Sequence, residues 1–266
     1  MSAIARVFDR CRDEKRAAFI PFLTAGDPDL RKTADLMQAF VDGGADIIEL
    51  GVPFSDPVAD GPVIQEASQR ALSSGTTLSA ILRLVARQRD RLGVPIVLFT
   101  YFNPIHARGV ENFAEQAAAS GVDAVLCVDL PPDEATEDVV PMLRKQGLDT
   151  VFLVAPTSDK QRIKTVNAMS SGFVYYVSRT GVTGARRELP KELIREVKKL
   201  RRRIDLPLAV GFGISTPEQV EQVARVAEGV VVGSALVKLI GDHAEAPDLA
   251  KKVESKIREL VTPLGR

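Results

Sequence analysis

The sequence predicts a single closed α/β barrel, of the (β/α)8 or TIM type, that spans residues 1–266 and carries extra helices. Three observations predict this fold. Short apolar runs recur along the whole chain, helical segments lie between them, and no Pro- or Gly-rich linker or change of composition divides the chain. The length also suits one such barrel, which takes about 250 residues.

Eight apolar runs are the candidate strands. Most are apolar nearly throughout, rather than alternating with polar residues, and they are rich in β-branched or aromatic residues. This pattern is typical of parallel strands that are covered on both faces. The runs lie at 18–24, 46–50, 95–100, 123–128, 150–154, 173–177, 207–210 and 229–232.

Helical segments separate these runs. The segment 29–42 has one apolar face and ends at Gly43-Gly44. The segment 4–12 precedes the first strand, and we expect it to cover one end of the barrel. The other predicted helices lie at 77–92, 110–120, 133–146, 159–169, 190–203, 217–227 and 248–260.

An open, doubly wound sheet is the alternative arrangement for alternating strands and helices. Eight right-handed crossovers in succession close a barrel, and nothing in the composition marks a second domain. We therefore favour the barrel.

Charge and composition exclude several classes of protein. Equal numbers of basic and acidic residues, 35 of each, give no overall attraction for nucleic acid or an anionic membrane. The first residues lack the apolar core of a secretion signal, and no apolar run approaches the ~18 residues of a membrane helix. We expect a cytoplasmic protein. Two cysteines and two histidines, far apart, predict neither a disulfide framework nor a metal site.

Two carboxylates mark the end of the second predicted strand and the loop after it. Glu49 interrupts an apolar strand, where burial would raise its pKa toward that of a working acid or base; a solvated strand-end glutamate is the equally weighted alternative. In the following loop, Asp60-Gly61-Pro62 opens a helix. Asp60 is either a turn former or a second carboxylate facing Glu49, whereas Asp56 is best read as a turn former.

Glycines follow the last three predicted strands, at 181–184, 211–213 and 233–235, and the third group also opens a helical stretch. Glycine lets backbone N–H groups approach an anion closely, and barrels often bind phosphate after strands seven and eight. The pattern favours a phosphorylated substrate. The polar segment 178–187 is either a solvated loop or a mobile lid.

Aromatic residues stand at several strand ends. Phe22, Tyr101 and Phe212 either pack in the core or form the walls of a flat apolar pocket. Tyr175 and Tyr176 are adjacent in one strand, so one faces the lumen and the other faces the helices, depending on register.

Four motifs resemble the signature of the tryptophan synthase alpha chain family. The longest and most specific is Glu49–Pro62, and Pro21–Pro28, Ser178–Gly184 and Gly211–Ser215 accompany it. The resemblance is collinear over nearly the whole chain. It implies a TIM barrel that cleaves indole-3-glycerol phosphate to indole and glyceraldehyde 3-phosphate by a retro-aldol reaction, without a Schiff base or a metal.

The resemblance also implies the roles of residues. Glu49 becomes the general acid and base, and Asp60 accepts the indole N–H and stabilises positive charge on the ring. Thr183 belongs to the lid and helps to order the closed site near Asp60. The resemblance assigns phosphate contacts to Gly184, Gly213, Gly233 and Ser234. It assigns the other substrate contacts to Phe22, Tyr101, Tyr175 and Phe212. Gly211, at the start of the glycine-containing loop that includes Gly213, is a further substrate-binding residue.

A partner is implied as well. The family's alpha chain works with a beta chain in an α2β2 heterotetramer, where the beta chain uses pyridoxal phosphate to join indole to serine and receives indole through a tunnel. We expect no cofactor in the present chain. Pro53, Phe54, Val58 and the region of Asn103-Pro104 form the predicted docking surface.

Other functions stay open at this stage. A lyase of the same chemistry that works alone would release free indole, and another phosphosugar lyase or isomerase would use the same barrel, because fold does not determine function. A non-catalytic phosphate-binding subunit is a further class. Glu49 and Asp60 argue against that class, since binding alone needs neither carboxylate.

Overall fold

The structure of the protein, a computed structural model, describes residues 1–135, 137–177, 191–211 and 213–265. Within these ranges eight parallel strands form a closed barrel in chain order, and the eighth strand pairs with the first. The strands are β1 (Ala18–Thr24), β2 (Ile48–Gly51), β3 (Ile96–Thr100), β4 (Ala124–Cys127), β5 (Asp149–Val154), β6 (Val174–Val177), β7 (Leu208–Gly211) and β8 (Gly229–Val232). Each strand falls on one of the predicted apolar runs, which confirms the predicted (β/α)8 barrel.

Helices connect the strands, as parallel pairing requires. They are α1 (Ala3–Asp13), α2 (Leu30–Gly43), α3 (Pro62–Ser73), α4 (Leu78–Leu92), α5 (Phe102–Arg108), α6 (Val110–Ala119), α7 (Pro132–Ala135), α8 (Val139–Lys145), α9 (Lys160–Met169), α10 (Lys191–Arg201), α11 (Pro217–Ala224), α12 (Ser234–Asp242) and α13 (Leu249–Val261). The sequence indicated only the first residues of α3 and α12, and it did not predict α5.

Local sequence explains where the helices begin and end. The Asp29 side chain accepts a hydrogen bond from the backbone N–H of Lys32 at the start of α2, and Gly44 ends that helix with a φ of 112°. Thr216 and Gln219 form a reciprocal capping box at the start of α11. These signals lie within a few residues of each helix end, so they are visible in the sequence alone.

The single helix predicted over 133–146 is wrong. The structure has two short helices there, α7 and α8. Pro141 explains the break, because it has no N–H group to donate back along a continuous helix. A proline is tolerated in the first turn of a helix, and α8 begins two residues before it.

The barrel lumen is a packed core that α1 closes at the amino ends of the strands. Alternate strand residues point inward, and side chains of α1 complete their cluster, so the expected cover at one end of the barrel is confirmed. The cluster includes Ile4, Val7, Phe8 and Cys11 from α1, and Ala18, Ile20, Ile47, Val97, Ala124, Leu126, Val151, Phe173, Tyr175, Ala209 and Val231 from the barrel.

A second apolar layer lies between the strands and the surrounding helices. The alternate strand residues, such as Phe19, Leu23, Ile48 and Leu98, pack outward into this layer. In the described part of the chain, no helix combines the length and the apolar character that crossing a bilayer requires.

Candidate active site

Glu49 lies in the lumen near the carboxyl ends of the strands. In β2 its neighbour Ile48 packs in the outer layer, so the alternation of side chains along the strand turns Glu49 inward. It pairs in register with Phe22 on β1 and Val97 on β3. The side chain is 1% exposed, and its Oε1 has no hydrogen-bond partner among the described residues.

This environment changes the proton affinity of Glu49. Burial raises the pKa of its carboxyl group from 4.5 to about 8, and the negative charge of Asp60 contributes in the same direction. Glu49 therefore holds its proton at neutral pH and can donate it as a general acid. The alternative of a solvated strand-end glutamate is wrong.

Asp60 ends the loop between β2 and α3, and Tyr101 holds it there. The Tyr101 hydroxyl donates a hydrogen bond to Asp60 Oδ2 at 2.9 Å and accepts one from the backbone N–H of Ala59 at 3.1 Å. The Phe54 ring stacks on Tyr101, with 4.9 Å between the ring centroids. Burial raises the pKa of Asp60, and the hydrogen bond from Tyr101 counteracts this rise. The sequence indicated Tyr101 only as a core residue or as the wall of an apolar pocket, and it gave no sign of this hydrogen bond to Asp60.

Tyr175 is the tyrosine that faces the lumen. It packs in the lumen cluster, whereas the Tyr176 hydroxyl points outward and donates to Glu196 Oε2 at 2.6 Å. Burial, followed by the charges of Glu49 and Asp60, raises the pKa of Tyr175 well above its ordinary value, so it stays a neutral hydroxyl.

Gly211 at the end of β7 makes room for Tyr175. A Cβ atom at position 211 would overlap the Tyr175 hydroxyl and ring, so a side chain there would displace the tyrosine. The glycine thus serves close packing at this position, besides starting the glycine-containing loop.

Apolar side chains line the mouth of the barrel above Glu49. Phe22 packs edge-to-face on Phe99, with 5.5 Å between the ring centroids. Three other side chains complete a partly buried apolar ring on the lumen cluster; they are Val128, Leu153 and Val177. The sequence did not single out this ring, although the alternation of inward side chains near the carboxyl end of each strand predicts most of it. A flat apolar ligand fits such a wall.

A candidate anion site lies on the same rim. Gly233 caps α12, which begins at the exposed Ser234, and the first N–H groups of a helix have no partners within the helix. A Cβ atom at Gly233 would lie 3.6 Å from Phe22 Cβ, so this helix start adjoins the aromatic wall. After β7, Gly213 adopts a φ of 70°, which favours glycine.

Some predicted site residues cannot be placed. Thr183, Gly184 and the segment 178–187 lie outside the described residues, as does Phe212. Of the predicted docking surface, Val58 is 86% exposed and Phe54 is half-buried.

The prediction for Pro53 as a surface residue is wrong, because Pro53 is buried. It lies two residues after the end of β2, where the chain is still buried. Asn103, in the other part of the predicted surface, is exposed.

Comparison with known proteins identifies the family. The family model described as tryptophan synthase alpha chain matches residues 8–263. The chain belongs to the tryptophan synthase alpha chain family. The resemblance of the four motifs is thereby confirmed. Membership makes the protein a carbon–carbon lyase of tryptophan biosynthesis, whose family reaction cleaves indole-3-glycerol phosphate.

Relatives and solved structures of tryptophan synthase alpha chains match over nearly the full length. The chain is 51% identical over 265 residues to that of Geobacter sulfurreducens, with 100% of both chains covered. It is 50% identical to that of Solibacter usitatus, covering 100% of this chain and 99% of the relative.

Among solved structures, subunit alpha from Legionella pneumophila matches with a TM-score of 0.92 at 36% identity, covering 100% of this chain and 99% of that one. The tryptophan synthase complex from Pyrococcus furiosus matches with a TM-score of 0.84 at 42% identity, covering 93% and 98%.

Proposed function

We propose that Glu49 and Asp60 carry out the cleavage of indole-3-glycerol phosphate in this chain. The observation that carries the proposal is a buried glutamate without a hydrogen-bond partner among the described residues, beside a second carboxylate and within an apolar mouth. A protein that only bound its ligand would gain nothing from burying such a group, which is costly.

The proposed chemistry begins with Glu49 as an acid. Its carboxyl group donates a proton to C3 of the indole ring, which leaves positive charge on the ring that is centred on the nitrogen. The Asp60 carboxylate accepts a hydrogen bond from the indole N–H and stabilises this charge. Because Tyr101 already donates to one Asp60 oxygen, the carboxylate is oriented before substrate arrives.

During bond cleavage Glu49 gains a second proton, while the first stays on C3 of indole. The Glu49 carboxylate accepts the proton of the hydroxyl on the carbon attached to C3, and that carbon becomes the aldehyde of glyceraldehyde 3-phosphate. The electron pair of the broken carbon–carbon bond returns to the ring, which leaves as neutral indole. Glu49 gives one proton and takes one back, so each turnover restores the starting state.

We assign the two ends of the substrate to two different parts of the barrel mouth. We propose that the indole ring contacts the side chains of Phe22, Tyr101 and Tyr175, with Phe212 as a further contact. We assign the phosphate to the glycine-containing segments that follow β6, β7 and β8 in the chain. The residues proposed for phosphate binding are Gly184, Gly213, Gly233 and Ser234, and Gly211 is proposed as a further substrate-binding residue.

We also propose a partner and a location. One of the matching solved structures concerns the tryptophan synthase a2b2 complex of Pyrococcus furiosus, and we infer the same assembly with a beta chain here. The exposed Val58 and the neighbouring region of Asn103 suit such docking. No cofactor is assigned to this chain, and pyridoxal phosphate is assigned to the beta chain. We expect the complex to be cytoplasmic.

The deciding experiment measures indole released from indole-3-glycerol phosphate, with and without a beta chain. We expect slow release by the isolated chain and faster release in the complex. Full activity that a beta chain does not change would instead identify a lyase that works alone. Turnover of a non-indolic phosphate, with none of the indole substrate, would overturn the proposal.

A further inference from the structure

The loop between β1 and α2 is joined to α3 and α12 through one arginine. It has no role in the chemistry proposed above. Its Gly26 donates its N–H to Thr33 Oγ1 at 2.9 Å and accepts a hydrogen bond from Ser74 Oγ at 3.2 Å. A Cβ atom at Gly26 would overlap Thr76, so the loop lies directly on the turn that follows α3. The loop is thereby attached to the carboxyl end of α3.

The strongest contact of this loop is an ion pair. Asp27 is 2% exposed, and its two carboxylate oxygens each accept a hydrogen bond from the Arg70 guanidinium on α3, both at 2.8 Å. This bidentate geometry fixes both the distance and the orientation of the two groups, which a lysine cannot do.

Arg70 also contacts α12. A Cβ atom at Gly241, near the end of α12, would lie 2.8 Å from Arg70 Nη2, so the guanidinium packs against the helix backbone. The hydrogen bonds to Asp27 raise the pKa of Arg70, and the charges of Glu66 and Asp242 act in the same direction. One arginine therefore joins the β1–α2 loop, α3 and α12.

Helices α3 and α12 begin at opposite ends of the proposed substrate site, α3 at the Asp60 end and α12 at the phosphate end. Asp60 lies just before α3, and Ser234 is the first residue of α12. The helices pack side by side, and the Phe22 ring lies in one cluster with Ala67 of α3 and Val237 of α12. A shift of α3 relative to α12 would thus change the distance between Asp60 and the phosphate site.

We propose that Arg70 and Asp27 are positioning residues that set the distance between Asp60 and the phosphate-binding start of α12. This inference rests on the function proposed above. The substrate carries its indole and its phosphate on one short chain, so both ends of the site must be correctly spaced at the same time. A ligand that occupies only one end needs no such spacing.

The test compares half-ligands with a full-length ligand. Arg70→Gln, Asp27→Asn and the double variant are titrated with indole, with glycerol phosphate, and with a non-cleavable analogue that joins indole to phosphate through a saturated three-carbon chain. We expect each half-ligand to bind within about twofold of the parent, whereas the joined analogue binds about tenfold more weakly, which is ~1.4 kcal/mol.

The Arg70–Asp27 ion pair also predicts how the affinities of the variants compare with one another. The double variant should lose no more affinity for the analogue than either single variant, because one interaction is removed in all three. The affinity of Arg70→Lys for the joined analogue should lie between those of the parent and Arg70→Gln. The control is Arg258→Gln on α13, which breaks the exposed ion pair with Glu254 and should leave all three affinities unchanged.

Two results would overturn the inference. One is analogue binding by the variants that equals that of the parent. The other is an equal loss for the analogue and both half-ligands, which a general loss of folded protein would produce. If the parent itself binds neither indole nor the analogue, the proposed function fails instead, so the two failures are distinguishable.

Discussion

Three carboxylates at the amino ends of the strands have surroundings that differ from those of Glu49 at the opposite rim. At the amino ends of the strands, Asp46, Asp123 and Glu228 each accept a hydrogen bond from a backbone N–H of a neighbouring strand at 2.9 Å, and each forms an ion pair with an arginine. The backbone donors are Phe19, Ile96 and Leu208, and the arginines are Arg16, Arg89 and Arg201.

At the opposite rim, Glu49 has neither an arginine nor a backbone N–H as a partner among the described residues. Burial raises the pKa of both Asp123 and Glu49. At Asp123, the N–H of Ile96 and the charge of Arg89 counteract the rise, whereas at Glu49 the charge of Asp60 adds to it. These paired carboxylates join strands to each other and stabilise the fold, whereas burial and the charge of Asp60 favour the protonated form of Glu49.

The largest effect is expected for Glu49→Gln. Glutamine keeps the shape of the side chain but cannot exchange the proton, so kcat should fall by about a thousandfold or more. Thermal unfolding at pH 7 should show no loss of stability, because no hydrogen bond to a described residue is lost. Cleavage at more than a tenth of the parental rate would contradict the assigned role.

Asp46→Asn should give the converse result. It removes the buried carboxylate that pairs with Arg16 and leaves that arginine with its exposed partner Glu14, and breaking a buried pair costs about 3–5 kcal/mol of unfolding free energy. Turnover per folded molecule should stay unchanged, because Asp46 lies at the far end of the barrel. Asp9→Asn, which breaks an exposed pair with Arg12, is the control and should cost about 0–1 kcal/mol.

The pH dependence sharpens the contrast. Since Glu49 must enter the reaction protonated, kcat/KM should fall as the pH rises through its pKa of about 8. The same raised pKa favours the folded state most below pH 4.5, and this contribution is lost as the pH rises toward 8, where Glu49→Gln should unfold less readily than the parent.

Asp60→Asn tests whether the charge of Asp60 contributes to the raised pKa of Glu49. It removes one of the two causes that raise the pKa of Glu49, so the pKa should fall, although burial keeps it above 4.5. The ¹³C chemical shift of the Glu49 carboxyl carbon measures the change directly, independent of activity. An unchanged or higher pKa in Asp60→Asn would show that the two carboxylates do not interact.

Tyr101→Phe should produce the smallest effect. It removes the hydrogen bond that orients Asp60 and counteracts the rise in its pKa, so kcat/KM should fall about tenfold. The matched control is Tyr176→Phe, which removes a hydroxyl bound to Glu196 outside the lumen. Equal losses of activity in both variants would refute a specific role for Tyr101.

Short-range patterns in the sequence determined the strands, most helices, Glu49 and the glycine-containing ends of β7 and β8. Strand and helix periods, caps and glycine turns are encoded within a few residues, and a glutamate in an apolar strand is visible without any partner. The resemblance to a known family added the substrate and the role of Asp60, which no local pattern contains.

Contacts between distant segments were decided only by the tertiary structure. Tyr101 reaches Asp60 across 41 positions and Arg70 reaches Asp27 across 43, and no local period relates such residues. The inward side of β6 likewise follows from register around the closed barrel, which selects Tyr175 over Tyr176. These contacts form only when the barrel closes, because closure alone brings the ends of separate strands and helices to one rim.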